Sequence, residues 1–309
     1  MTKVLIIGAG PIGQEYARIV HSMGIVFSVL SKTESGAQKF TSATGFPCIH
    51  GGLTSIKNSS DFSHIIIAIP IEECGLVLRN CMELGWKNIL VEKPGGLNEA
   101  DIKQSVKHNE KYKSLVYVAY NRRYFASTMR VAELIAAEGG LLSFEFEFTE
   151  WSHVIEKLQK PTTSLENWLL ANSTHVIDIA FYLGGKPGTW SHYKSGKLDW
   201  HPAGSVFTGA GITQKKIPFS YHANWQSAGR WGVELYTAQS KIVLRPLEKV
   251  FVQKKGELEM NEIALNSDSP FKPGFMEQTK TFLSGKKMLL PTLEEQYTNV
   301  KEIYSVIIS

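Results

Sequence analysis

Three glycines at GxGxxG spacing, Gly8-Ala-Gly10-Pro11-Ile12-Gly13, are the first residues in the chain whose pattern implies chemistry. Before them stands the short β-branched run Val4 to Ile7, and after them Tyr16, Ala17, Ile19 and Val20 recur at helical spacing. A glycine-rich turn alone says little, but between a strand and a helix this string is a dinucleotide-binding fingerprint. Gly8 allows the tight turn, Gly10 lets the backbone approach a pyrophosphate, and Gly13 lets helix and strand pack closely, with Pro11 and Ile12 opening the helix between them. The amides of the helix N-terminus then meet the phosphates.

The residues after the second strand, Ile25 to Leu30, select between the nicotinamide cofactors. An acidic side chain there would bind the adenosine ribose hydroxyls and repel a 2′-phosphate. This chain has Ser31-Lys32-Thr33, a hydroxyl and an ammonium that suit a phosphate, so NADP(H) is preferred; Glu34 keeps NAD(H) open. The competing reading of Lys32, less favoured here, is an ordinary solvated loop lysine.

The elements that must position these residues follow a strand-helix rhythm. Ile65 to Pro70 reads as a buried parallel-type strand, Glu73 to Leu84 as a helix, and Asn88 to Val91 as a strand closed by Glu92-Lys93-Pro94. A helix capped by Asn98 follows, then the strand Leu115 to Ala119. Such alternation implies an α/β, doubly wound parallel sheet. Its ligands bind at the carboxyl ends of the strands, where Gly8 to Gly13, Ser31, Lys32, Ala68, Pro70, Glu92 and Lys93 all fall.

From about Asn121 the texture changes. Leu142-Ser-Phe144-Glu-Phe146-Glu-Phe148-Thr alternates with period two, and strand-like stretches follow at Ser205 to Ile212, Pro218 to Gln226, Trp231 to Tyr236 and Lys249 to Lys254. Connections too short for repeated helical crossovers predict an open, largely antiparallel sheet. Helices are expected at Ala171 to Leu183, Gly274 to Leu283 and Leu293 to Ile308. The domains are therefore residues 1–120, for the dinucleotide, and 121–309, an α+β domain for substrate and assembly whose C-terminal helix can pack back on the first. An open sheet rich in apolar residues implies a homodimer or homotetramer formed through it.

Composition narrows the classes. Apolar residues at 43% and charged residues at 20% exclude a natively unfolded chain. A net charge of +4 without long runs of one sign argues against nucleic acid as a partner. Cys48, Cys74 and Cys81 show no zinc-ligand spacing and fit free thiols in a reducing compartment, Cys74 and Cys81 as packing on one helix face; no metal site is visible. No apolar stretch approaches the roughly 20 residues that span a bilayer, and the expectation is a cytoplasmic protein.

Taken in order, Gly8 to Gly13, Glu92-Lys93-Pro94, Asn121-Arg122-Arg123-Tyr124 and Ser173-Thr-His175-Val-Ile-Asp178 resemble the glucose-fructose oxidoreductase, inositol dehydrogenase and MocA family over the whole length. The resemblance implies an N-terminal Rossmann domain, a nicotinamide cofactor, and hydride transfer to or from a carbinol or keto carbon of a sugar or sugar-nucleotide. It implies Lys93 and His175 as catalytic residues: Lys93 polarising the substrate oxygen, aimed by a cis bond before Pro94, and His175 serving acid-base chemistry near neutrality. A lone helical histidine is otherwise more often structural. Relatives commonly carry an aspartate four residues before this histidine; here that position is Ala171, so Tyr124 or Asn172 is left to assist. Asp178 lies on the other side of His175 and is read as serving the helix or a domain contact. Cys74 stands where relatives often have histidine.

Arg122, Arg123, Trp151, Asn172 and His175, with His153, Trp168 and Trp225, are the substrate-binding candidates, since guanidinium groups suit phosphates or carboxylates and aromatic faces suit sugar C–H surfaces. For each tryptophan, core filling is the plainer reading. Of two adjacent arginines on extended chain, only one faces a pocket. Two other functions compete: a reductase of a non-sugar substrate, similar to biliverdin reductases, and a non-catalytic cofactor sensor, suggested by Ala171.

Overall fold

The computed structural model describes residues 2–265, 270–286 and 289–309. The chain divides into two units, Met1–Asn121 with Ser269–Thr298, and Arg122–Asp268 with Asn299–Ser309.

In the first unit the apolar runs become strands. The order is β1 (Lys3–Ile7), α1 (Pro11–Ser22), β2 (Val26–Leu30), α2 (Glu34–Thr44), β3 (His64–Ile67), α3 (Ile71–Glu83), β4 (Asn88–Glu92), α4 (Glu99–Tyr112) and β5 (Leu115–Ala119). Every strand pairs parallel, in the order β2-β1-β3-β4-β5. Val4, Leu5, Ile6, Ile65, Ile66, Ile67, Ile89 and Leu90 are all fully buried, because helices cover both faces and the strands need no polar alternation. β3 stops at Ile67, short of the expected Pro70. Pro70 instead caps α3, which begins at Ile71, two residues earlier than its pattern suggested. Asn98 caps α4 as expected, its side chain accepting from the Asp101 amide at 3.0 Å.

The second unit opens with α5 (Ala126–Ala137), then β6 (Ser143–Glu147), the short helices α6 (Ser152–Ile155) and α7 (Thr162–Glu166), and α8 (Thr174–Gly184). Seven strands follow: β7 (Pro187–Ser195), β8 (Val206–Thr213), β9 (Pro218–Asn224), β10 (Gly232–Tyr236), β11 (Ser240–Leu244), β12 (Val250–Lys254) and β13 (Asn261–Ile263). They form one sheet, β13-β12-β11-β10-β6-β9-β8-β7, antiparallel except where β6 meets β9. The period-two pattern predicted for β6 holds: Phe144, Phe146 and Phe148 are buried while Glu145 is exposed, although Leu142 lies before the strand in solvent. Phe181 of α8 packs edge-on against Phe144, Phe146 and Phe219. Gly184 makes this possible, since a Cβ there would lie 2.2 Å from the Phe144 ring.

The expected helix Ala171 to Leu183 is two segments. Residues Leu169–Ser173 form a π turn, in which the Thr174 amide reaches back to the Leu169 carbonyl, and α8 begins only at Thr174. The C-terminal helix is likewise interrupted: α9 (Phe275–Ser284) and α10 (Leu293–Asn299) lead into a second π turn, Val300–Tyr304, and then α11 (Ser305–Ile307). α9 and nearly all of α10 belong to the first unit, where Phe275 packs on Tyr16 with ring centroids 5.2 Å apart. Among the described residues, no helix is long and apolar enough to cross a membrane.

Candidate functional site

At the end of β1 the three glycines serve different ends. Gly8 has φ +121°, and a Cβ on it would sit 2.1 Å from the Ala68 carbonyl oxygen; one on Gly13 would sit 1.9 Å from the Gly8 oxygen. Both positions are closed by the protein's own backbone. Gly10 is different, because a Cβ there meets nothing within 4 Å. Packing does not require glycine at this point, so the open space is a cradle that fits a diphosphate lying against the α1 N-terminus. Pro11 occupies the first turn of α1, and no side chain caps its amides.

Beyond β2, the Ser31 hydroxyl donates to the Thr33 carbonyl at 2.8 Å, and Thr33 caps α2 by accepting from the Gly36 amide. Lys32 is exposed and pairs with Glu73 at 2.6 Å. An ion pair this open is worth at most about 1 kcal/mol, so the ammonium is readily exchanged to an anionic ligand.

The segment Glu92-Lys93-Pro94 ends β4 at the same sheet edge, and its Lys93–Pro94 bond is cis. It is held from several directions within the first unit. The Tyr16 hydroxyl donates to Glu92 Oε1 at 2.8 Å and accepts from Gln278 Nε2 at 2.8 Å. Burial, then the Glu92 charge, pushes the Tyr16 hydroxyl well above its usual range and keeps it protonated as a donor. The Cys74 thiol contacts the Glu92 carbonyl at 3.9 Å, and burial raises that thiol's pKa, so it is a packing group rather than a nucleophile. Gln296, fully buried on α10, donates to the Pro94 carbonyl at 3.1 Å and to the Tyr120 hydroxyl at 3.0 Å.

In the second unit His175 lies in the first turn of α8, 7% exposed, with its ring 6.1 Å from that of Trp231. Arg122 also converges on Trp231, its guanidinium 5.1 Å from the ring centroid. Arg230 lies over Trp231 at 4.8 Å and over the exposed Trp151 at 4.9 Å. Arg123 goes elsewhere: its Nε and Nη2 donate to Asp178 Oδ2 and Oδ1 at 2.8 and 2.6 Å. Burial opposes charge on this arginine, but the Asp178 carboxylate outweighs it and holds the guanidinium above its ordinary range. Tyr124 is buried and His153 exposed. Trp225 is core, donating to the Phe148 carbonyl and stacking on Trp200, on which Trp168 also packs edge-on.

Asn172 donates its amide to Glu150 Oε1 at 2.9 Å, and the Ser173 hydroxyl donates to the same oxygen at 2.8 Å. Arg230 reaches Glu150 Oε2 at 3.3 Å. Glu150 has a side chain only 1% exposed, and burial pushes its carboxyl up against the opposing hydrogen bonds and the Arg230 charge. Sequence reasoning passed over Glu150, Arg230, Trp231, Tyr16 and Gln296. The side-chain hydrogen-bond partners described for Glu150, Arg230, Tyr16 and Gln296 are 22 to 262 positions away, and no local pattern marks them.

A five-stranded parallel sheet with this glycine turn, on a chain that continues into an open α+β sheet, defines a dinucleotide-type Rossmann protein with a second unit. Residues 2–120 match the model of the oxidoreductase family with NAD-binding Rossmann fold, GFO_IDH_MocA. No curated protein matches the sequence. Among solved structures, an oxidoreductase from Agrobacterium radiobacter in complex with NAD+, L-tartaric acid and magnesium is 13% identical, with a TM-score of 0.79 over 99% of this chain and 96% of that one. A levoglucosan dehydrogenase in complex with NADH is 17% identical, with a TM-score of 0.78 over 99% and 96%. UDP-N-acetylglucosamine 3-dehydrogenase from Acidithiobacillus ferrooxidans is 11% identical, with a TM-score of 0.76 over 99% and 97%. These likenesses are of fold.

Proposed function

We propose that the protein is an NAD(P)-dependent oxidoreductase acting on a carbinol or keto carbon of a sugar or sugar-nucleotide. The observation that carries the cofactor is the open space at Gly10, between two glycines that the backbone itself closes. Gly8, Gly10, Pro11, Ile12 and Gly13 would hold its diphosphate, Ser31 and Lys32 its adenosine end, and Ala68, Pro70 and Glu92 the carboxyl edge of the sheet beside it. NADP(H) is the preferred form, since no carboxylate directly follows β2 and Lys32 is tied only by an exposed pair. When bound, the nicotinamide supplies the hydride acceptor or donor.

The chain's own part is to hold the substrate and move the proton. Lys93, on a segment anchored at both Glu92 and Pro94, polarises the substrate oxygen. His175 exchanges the hydroxyl proton, and the substrate is bound by Arg122, Trp151 and Asn172. Sugar chemistry is supported by the names of the dehydrogenases that share the fold. The outer face of the second sheet, with Tyr193 70% and Ile212 46% exposed, is the surface proposed to join copies of the chain.

The test is absorbance of reduced nicotinamide, with each cofactor, on levoglucosan, myo-inositol, D-glucose and UDP-N-acetylglucosamine. Lys93→Ala is expected to abolish turnover with cofactor affinity kept, and full activity in that variant would overturn the reading. Tight cofactor binding without turnover on any substrate would instead favour a cofactor sensor, which Ala171 in place of an acidic residue independently suggests.

A further inference from the structure

A buried carboxylate in the second unit has no part in the scheme above. Glu150 follows β6 and is almost wholly removed from solvent, a placement that costs several kcal/mol for an anion unless its partners repay it. Its partners are specific. Oε1 accepts from Asn172 and Ser173, the last two residues of the π turn that leads into Thr174 and His175. Oε2 faces Arg230, whose guanidinium lies on Trp231, and Trp231 is the ring that packs beside His175.

The contacts therefore close a ring: Glu150 to the π turn, the turn to His175, His175 to Trp231, Trp231 to Arg230, and Arg230 back to Glu150. An apolar side chain could fill this space at lower cost, but it could not hold both arms of the ring at once. The turn ahead of His175 supplies no acid of its own, its residue 171 being alanine.

We propose that Glu150 is a positioning residue, which fixes the imidazole of His175 through the π turn on one side and through Arg230 and Trp231 on the other. This rests on the reading of His175 as the proton-transfer group, and the experiment separates the two. Glu150→Gln is the informative change. It keeps an oxygen for Asn172 and Ser173 but turns an amide N–H₂ toward Arg230, opening one arm while sparing the other.

The full-length protein, labelled with 13C and 15N in histidine, reports the His175 ring directly, with its signals assigned by their loss in His175→Asn. In Glu150→Gln the His175 imidazole signals should move while those of the other histidines stay. On whichever of the four sugars turns over, kcat should fall by roughly 10–100-fold, part of what general acid-base catalysis contributes, with KM and cofactor affinity within about twofold. Arg230→Gln, on a half-exposed side chain, opens the same arm and should move the same signals should Glu150→Gln fail to fold. Unmoved His175 signals in a folded Glu150→Gln or Arg230→Gln variant would overturn the proposal. If instead His175→Asn keeps wild-type turnover, the catalytic reading of the histidine fails, and the imidazole signals still decide whether Glu150 positions it.

Discussion

Removing the Asp178 carboxylate should cost the second unit more stability than any single apolar contact around it. Arg123 and Asp178 form a two-bond pair whose side chains are 12% and 2% exposed. In Asp178→Ala the guanidinium remains buried and loses its carboxylate, which costs about 3–5 kcal/mol. For a unit of this size each kcal/mol moves the melting temperature by roughly 2–4 °C, so a fall of roughly 6–20 °C is expected. That loss is not the net worth of the pair, because in the wild type both charges have already been desolvated. Replacing both partners with apolar residues, Arg123→Met with Asp178→Leu, should recover most of the loss. Calorimetry on the wild type and on the single and double variants measures this. A loss below about 1 kcal/mol in Asp178→Ala would refute the reasoning, as would a double variant no more stable than the single one.

The glycine turn gives a sharp contrast: Gly10→Ala should fold with an unchanged melting temperature and bind NADP(H) at least about tenfold more weakly by fluorescence titration, whereas Gly13→Ala should fail to form the first unit at all. Glu138 accepts from Thr237 and Ser240 and pairs with Lys254; burial alone would raise its carboxyl, but these partners hold it below its ordinary value. A depressed folded value gives stability that is complete above the unfolded value of about 4.3 and lost as pH falls through the folded one, so Glu138→Gln should cost about 1–3 kcal/mol at neutral pH, with the gap closing in acid in a urea titration. Lys32→Ala should weaken NADP(H) binding more than NAD(H) binding in the same titration; equal effects would remove the 2′-phosphate assignment.

The first unit was legible because most of its strands are short apolar runs and its turn carries two glycines, Gly8 and Gly13, that sterics demand. The second was less so. β7 has little apolar alternation, with most of its residues exposed, so nothing in Pro187–Ser195 signals a strand. α5 begins after Phe125 with no capping side chain and no acid in its first turn, which removes the usual start signal. The π turn at Leu169–Ser173 escaped because α-helical spacing was assumed across it, and that turn determines which side chains share a side with His175. At the candidate site, Gly10 stood out by residue type and neighbours, and Lys93 and His175 through the resemblance that their motifs carry. Glu150 and Gln296 did not, because a buried polar residue acquires its meaning only from partners brought together by folding.

The anchoring of Glu92-Lys93-Pro94 also bears on how the protein is made. Tyr16 is made well before Gln278 and Gln296; Tyr16 and Gln296 bond directly to this segment of the first unit, and Gln278 bonds to Tyr16. This Rossmann unit therefore gains its last two anchors only when α9 and α10 have been made, well after its own strands. A fragment cut after β5, where the parallel sheet is already complete, would keep the nucleotide turn and lose the two glutamines that hold the lysine's segment in place.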